Sequence, residues 1–136
     1  MSYRDQLLIT LREETIGTIN SESSLEEKFQ NQTLRPVLKL QNDLLVQVFA
    51  NHMSAYKNDF QNYSTQQKFK SIENAIQKDI KFKNLLIGIV IGQFTIDEYS
   101  AYIKIYSSLN KRIINMLIER LKSQIQIFET TDTNNS

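Results

Sequence analysis

"LLIGIVIGQF", residues 85–94, is the most apolar stretch of this chain, and its reading decides the fold. Gly88 and Gly92 sit in it four residues apart. Three readings compete: a membrane span, a buried strand and a helix. A bilayer span needs roughly 20 apolar residues. This run falls well short, with Lys81 and Lys83 just before it and Asp97 just after. Ile and Val favour sheets, but no second convincing strand exists for it to pair with. A helical stripe also passes through the segment in phase: Phe69, Ile72, Ile76, Ile80, Ile87, Val90 and Phe94. The stretch therefore reads as the buried end of a helix, apolar all round, with both glycines opposite that stripe. Each glycine costs up to about 1 kcal/mol in a helix interior. Two on one face predict the close approach of another backbone, within the chain or across a dimer. The competing reading is that Gly92 simply ends the helix as a C-cap.

Composition agrees with a helical reading. Glycine (3) and proline (1) are scarce among 136 residues, whereas sheet proteins need turn residues at regular intervals. The length is that of one ordinary domain, and 40% hydrophobic residues suffice for one core. A formal net charge of +1 gives no global attraction to polyanions. The chain has no cysteine, which excludes disulfides, thiolate metal sites, iron–sulfur clusters and cysteine nucleophiles. The N-terminus "MSYRDQLLIT" carries a charge pair and only a brief apolar run, so it does not read as a signal peptide. A cytoplasmic location is the expectation.

Start signals divide the chain. Tyr3 to about Glu14 reads as a short amphipathic helix, and residues 15–24 as a polar linker. Ser24 with Glu27, Ser64 with Gln67 and Thr95 with Glu98 are three capping boxes. The first opens a short helix through Phe29. Pro36 belongs in a helix's first turn, which makes Thr33 the expected cap of a helix reaching about Phe60. The second box opens a helical stretch through Phe94, as one helix or two. The third opens the longest helix, through Phe128. Residues 129–136 form a polar tail, expected to fray.

Few residues carry chemistry. His52, the only histidine, falls by helical phase on the apolar face of its helix, beside Val48, Phe49, Ala55 and Tyr56. A buried imidazole serves either as a hydrogen-bonded core residue or as a general base. Asn110, Gln124 and Gln41 also fall on apolar faces, where an amide must find a partner and often fixes helix register. A small polar pocket around His52, Tyr106 and Asn110 is the candidate ligand site. Tyr99, Tyr102 and Tyr106 share one side of their helix and suit a helix–helix contact. With one histidine and carboxylates mostly on polar faces, no metal site and no cofactor are expected. Basic residues gather at 68, 70, 78, 81 and 83 and at 104, 111, 112, 120 and 122. That is a weak phosphate-binding face at most, and no nucleic-acid-binding motif accompanies it. Glycine-rich phosphate loops, G-x-S-x-G, H-E-x-x-H and EF-hand patterns are absent from the sequence.

"TLRPVLKLQNDLLVQVF" (33–49), "SIENAIQKDIKFKNLLIGIVIGQFT" (71–95) and "LNKRIINMLIERLKSQIQIF" (109–128) resemble a group of small uncharacterised bacterial proteins, some labelled automatically "glyoxalase". The resemblance runs from about residue 5 to residue 128. A glyoxalase I activity would go with a βαβββ fold and with His and Glu metal ligands. This sequence reads as helical with a single His, so the resemblance implies a helical single domain and not that activity.

The reading as a whole is an all-α bundle of four to five helices over residues 1–128, with the 65–94 and 96–128 segments as an antiparallel pair at its centre. The apolar arc of the last helix is wider than one partner needs, so it is either central or shared with a second subunit. A non-enzymatic helical interaction module that forms a homodimer, or binds another protein, is the favoured function. A small-molecule binder or enzyme at His52 comes next and a nucleic-acid binder last, with no membrane partner expected.

Overall fold

The protein is described from a computed structural model, which covers residues 2–12, 24–55 and 60–125. It is all-α. The α-helices are α1 (Tyr3–Leu11), α2 (Leu25–Phe29), α3 (Arg35–Ala55), α4 (Thr65–Lys78), α5 (Ile80–Ile91), α6 (Ile96–Lys104) and α7 (Tyr106–Ser123). A π turn (Gln30–Leu34) joins α2 to α3, and a 3₁₀ turn (Phe60–Asn62) precedes α4. The residues expected at Glu13, Glu14, Tyr56 and Phe128, the 15–23 part of the linker and the 129–136 tail lie outside the described residues.

Residues 85–91 are helical, as the in-phase stripe predicts. Phe82, Leu86, Ile87, Val90 and Phe94 are buried. The segment is not apolar-buried all round, however. Leu85, Gly88 and Gly92 face solvent, because α5 packs on α3, α4 and α7 and leaves one side uncovered.

Two boundaries differ from expectation, at Thr33 and at Ile105, and the choice left open over 65–94 falls to two helices. Thr33 does not cap a helix: α2, the π turn and α3 run as one rod. Pro36 has no N–H and would clash with the preceding turn. The wide turn at 30–34, where the Arg35 N–H reaches back to the Gln30 carbonyl, takes up that clash. The 65–94 stretch is two helices. Asp79 adopts an extended conformation (φ −94°, ψ 101°), and its Oδ1 accepts the Phe82 N–H at 3.1 Å as the cap of α5. The expected longest helix is also two, broken at Ile105 (φ −137°, ψ 35°). With α2 and α3 counted as one rod, six rods replace the four to five expected.

Helix α7 is the central element. It packs against α4, α5, α6 and the π turn, and Leu109, Ile113, Ile114, Leu117, Ile118 and Leu121 are buried. Its wide apolar arc is thereby used within the chain. The fully buried side chains around it include Leu34, Leu38, Phe49, Ile72, Ile76 and Leu86. Among the described residues no helix is long and apolar enough to cross a membrane.

Amides lock these packings, as their place on apolar faces predicts. Gln41 Nε2 donates to the Ile89 carbonyl at 3.2 Å, tying α3 to α5. Asn42 and Gln124 exchange amide hydrogen bonds at 2.8 and 2.7 Å, tying α3 to the end of α7.

Candidate functional site

The three residues expected to share a pocket do not line one together. His52, in the last turn of α3, stacks on Phe82 with ring centroids 3.7 Å apart and planes 6° from parallel. Its Nε2 is 3.8 Å from Asp79 Oδ2. A cleft of about 690 Å³ beside it is lined by residues of α3 and α4 and of the start of α5. Neither Tyr106 nor Asn110 belongs to that lining. Asn110 instead accepts the Tyr102 hydroxyl at 2.5 Å, inside the α6–α7 corner. Tyr106 is exposed. His52 and Asn110 are both half-buried, on helices that do not bring them together, and phase within a helix says nothing of which helices meet. Among the described residues no group of three His, Asp or Glu side chains is placed to hold a metal ion.

Among the described residues no second helix backbone packs against the Cβ positions of the glycine pair. A Cβ at Gly88 would meet nothing within 4 Å among the described residues. Gly92 is the C-cap of α5, with its N–H on the Gly88 carbonyl at 2.8 Å. The intrachain half of the close-packing expectation is thus corrected, and Gly92 takes the capping role.

An apolar surface lies on α6. Ile96, Tyr99, Ile103 and Tyr106 are 60%, 46%, 48% and 58% exposed. The first three share one face of α6 by their spacing. Tyr106 follows across the Ile105 break, at the start of α7. Burial raises the Tyr102 phenol above its ordinary value, the Asn110 hydrogen bond opposes that rise, and the neighbouring Tyr99 and Tyr106 phenols add to it. Two elements fix this surface. The Thr95–Glu98 capping box sets the start of α6, with both reciprocal bonds formed. Tyr102, the buried member of the tyrosine group, anchors its inner side against Phe94, centroids 5.8 Å apart.

Behind α6 lies a polar clasp that sequence reasoning missed. Arg12 grips Glu98 with both Nη atoms, at 2.6 and 2.7 Å, and also donates to the Gln93 carbonyl at 2.6 Å. Thr33 Oγ1 donates to the same carboxylate at 2.7 Å. Burial raises the Glu98 pKa, but the hydrogen bonds from Arg12, Thr95 and Thr33 and the Arg12 charge outweigh it and leave the carboxyl below its ordinary value. Arg4 donates to the Gly92 and Phe94 carbonyls at 2.8 and 2.9 Å. Asp5 Oδ2 accepts the Ile96 N–H at 3.1 Å. Helix α1 is therefore strapped to the α5–α6 turn, and the unoccupied N–H groups of α6 find partners there. The only advance signal was the capping box. Arg12 and Thr33 lie 86 and 65 residues from Glu98.

A second cleft, of about 890 Å³, opens between α3 and α7. Arg35, Arg112 and Arg120 line it, over Leu38 and Met116.

The chain matches no protein-family model, no curated protein and no solved structure.

Proposed function

We propose that this chain is a helical self-association module whose second copy docks on the exposed face of α6. The observation that carries this reading is the run of Ile96, Tyr99, Ile103 and Tyr106, four large apolar side chains that are 46–60% exposed. Ile96, Tyr99 and Ile103 have the 3-4 spacing of a coiled-coil seam on α6, and Tyr106 follows beyond the Ile105 break. Aromatic and β-branched residues of this kind form the buried centre of interfaces. Charge favours a second copy of the same chain over an unrelated partner. Exposed Asp97 stands at the start of α6 and exposed Lys104 at its end. Two copies of α6 related by a two-fold axis and running antiparallel would bring each Asp97 toward the partner's Lys104. The clasp of Arg12, Thr33 and Asp5 serves this reading as a rigid backing, since an interface on a fixed helix costs less ordering on binding.

Light scattering tests it. The expected particle mass is twice the 15.9 kDa of the chain. Ile103→Asp places a charge in the middle of the seam, and it should yield a monomer with unchanged helicity by circular dichroism. A wild-type monomer at micromolar concentration, or an I103D variant that stays dimeric, would overturn the proposal.

A further inference from the structure

The cleft between α3 and α7 holds three arginines with an unusual choice of partners. Arg35 Nε donates to Asn31 Oδ1 at 2.9 Å, Arg112 Nη1 to Gln30 Oε1 at 2.8 Å, and Arg120 Nη1 to Asn42 Oδ1 at 3.3 Å. Every one of these acceptors is a neutral amide. No ion pair joins any of the three arginines to a carboxylate among the described residues. The distinction matters physically. A carboxylate both orients and neutralises a guanidinium, whereas an amide orients it and leaves the charge in place. Each guanidinium has five N–H donors, and one amide acceptor leaves most of them free.

The charges are also held together at a cost. The Arg120 pKa is lowered, first by burial and then by the positive charge of Arg35. Arg35 is exposed and Arg112 and Arg120 are half-buried, so the three charges line the mouth of the cleft. Here Glu119 lines the same cleft, but its side chain is 78% exposed and lies 3.9 Å from Lys122. An anion in the cleft would relieve the crowding. The amide tethers are themselves anchored: Asn42 is fixed by its exchange of hydrogen bonds with Gln124.

We infer that this cleft is a binding site for a small organic polyphosphate. The guanidinium fork matches phosphate oxygens two at a time. Three such forks around one concavity suit a ligand with at least two phosphoryl groups. Half-buried Met116 gives the same lining an apolar patch. That patch suits the organic body of the ligand. The concave shape argues for a compact molecule over a nucleic-acid strand, which needs an extended basic track.

The test is isothermal titration at low ionic strength with ATP, inorganic pyrophosphate and a twelve-nucleotide DNA strand as probes. ATP binds the wild-type chain in the expected result, and pyrophosphate binds it more weakly. Arg112→Gln and Arg120→Gln each weaken ATP by about tenfold or more, the size of one lost charge-assisted hydrogen-bonding group. Lys111→Gln removes a neighbouring exposed charge and changes affinity less than about threefold, as general screening of surface charge requires. Circular dichroism melts check that each variant folds. Arg120→Lys keeps the charge without the fork, so it reads the geometry apart from the charge and gives an intermediate affinity. Absence of heat with both small phosphates would overturn the inference. So would equal ATP affinity in the R112Q/R120Q double variant and the wild type, or binding of the DNA strand alone.

Discussion

Glu98 shows how much one side chain can organise. It completes the cap of α6, receives both Nη groups of Arg12 and takes the hydroxyl of Thr33. The Arg12 side chain is only 8% exposed, and its Nε is a buried donor without a partner among the described residues. Removing the carboxylate would leave that guanidinium charged, buried and unpaired. Glu98→Gln should therefore cost about 2–3 kcal/mol in a urea denaturation, while Thr33→Val, which deletes one hydrogen bond, should cost about 1 kcal/mol. The same contacts give a pH dependence. The folded carboxyl releases its proton more readily than the unfolded one, whose pKa is about 4.3. Its contribution is thus fully present above that value and is lost as pH falls through the lower, folded-state pKa. A chain with Glu98→Gln should show a shallower loss of stability below pH 4 than the wild type, about in proportion to the single lost titration. Of this site only the Thr95–Glu98 spacing was legible in advance, because capping is local in sequence. Arg12 and Thr33 join it through tertiary packing, which no periodicity records.

At the scale of elements, the helical character of 85–91 could be read because its apolar stripe stays in phase with the residues before it. The same continuity concealed the break at Asp79. The extended Asp79 turns the chain and leaves Ile80, a member of the expected stripe, 70% exposed, while Ile72 and Ile76 on α4 and Ile87 and Val90 on α5 are buried. The local signal was present in Asp79 itself, a residue type that favours caps. Asp79→Ala should lower stability by about 1 kcal/mol, the usual cost of a lost N-cap, and the measurement is a thermal melt. The break at Ile105 carries no glycine or proline, so no sequence rule for helix ends points to it. The glycines invite a sharper comparison. Gly88 is in a helix interior, solvent-exposed, with room for a Cβ. Gly88→Ala should stabilise the fold by about 0.5–1 kcal/mol through helix propensity. If a second copy instead used the glycine face for close approach, the added methyl group would lower the oligomer's mass. A raised melting temperature with the mass unchanged assigns Gly88 to a free surface.

For the whole molecule, the question is where the apolar surface beyond the core lies. Helix α7 spends its wide arc inside the chain, so the sequence argument for an interface on the last helix moves to α6. Other large apolar side chains also stay open: Tyr3, Leu7, Ile9 and Leu11 on α1, Leu25 on α2, Leu40 and Leu44 on α3, and Ile80 and Leu85 on α5. Scattered surface leucines are ordinary, and only the α6 run combines aromatic residues, seam spacing and a charge pattern suited to its own copy. Dissociation on unfolding makes the melting temperature of a dimer rise with protein concentration, because mass action favours the associated native state. The wild type should therefore melt several degrees higher after a hundredfold increase in concentration, as a shift of about 2.7 kcal/mol in an RT ln term implies. Ile103→Asp should abolish this dependence. Leu44→Asp should leave it intact, since α3 bears no seam. A concentration-dependent melt lost in L44D and retained in I103D would place the second copy on the α3–α5 side, where Gly88 lies, and would move the interface from the tyrosine face to the glycine face.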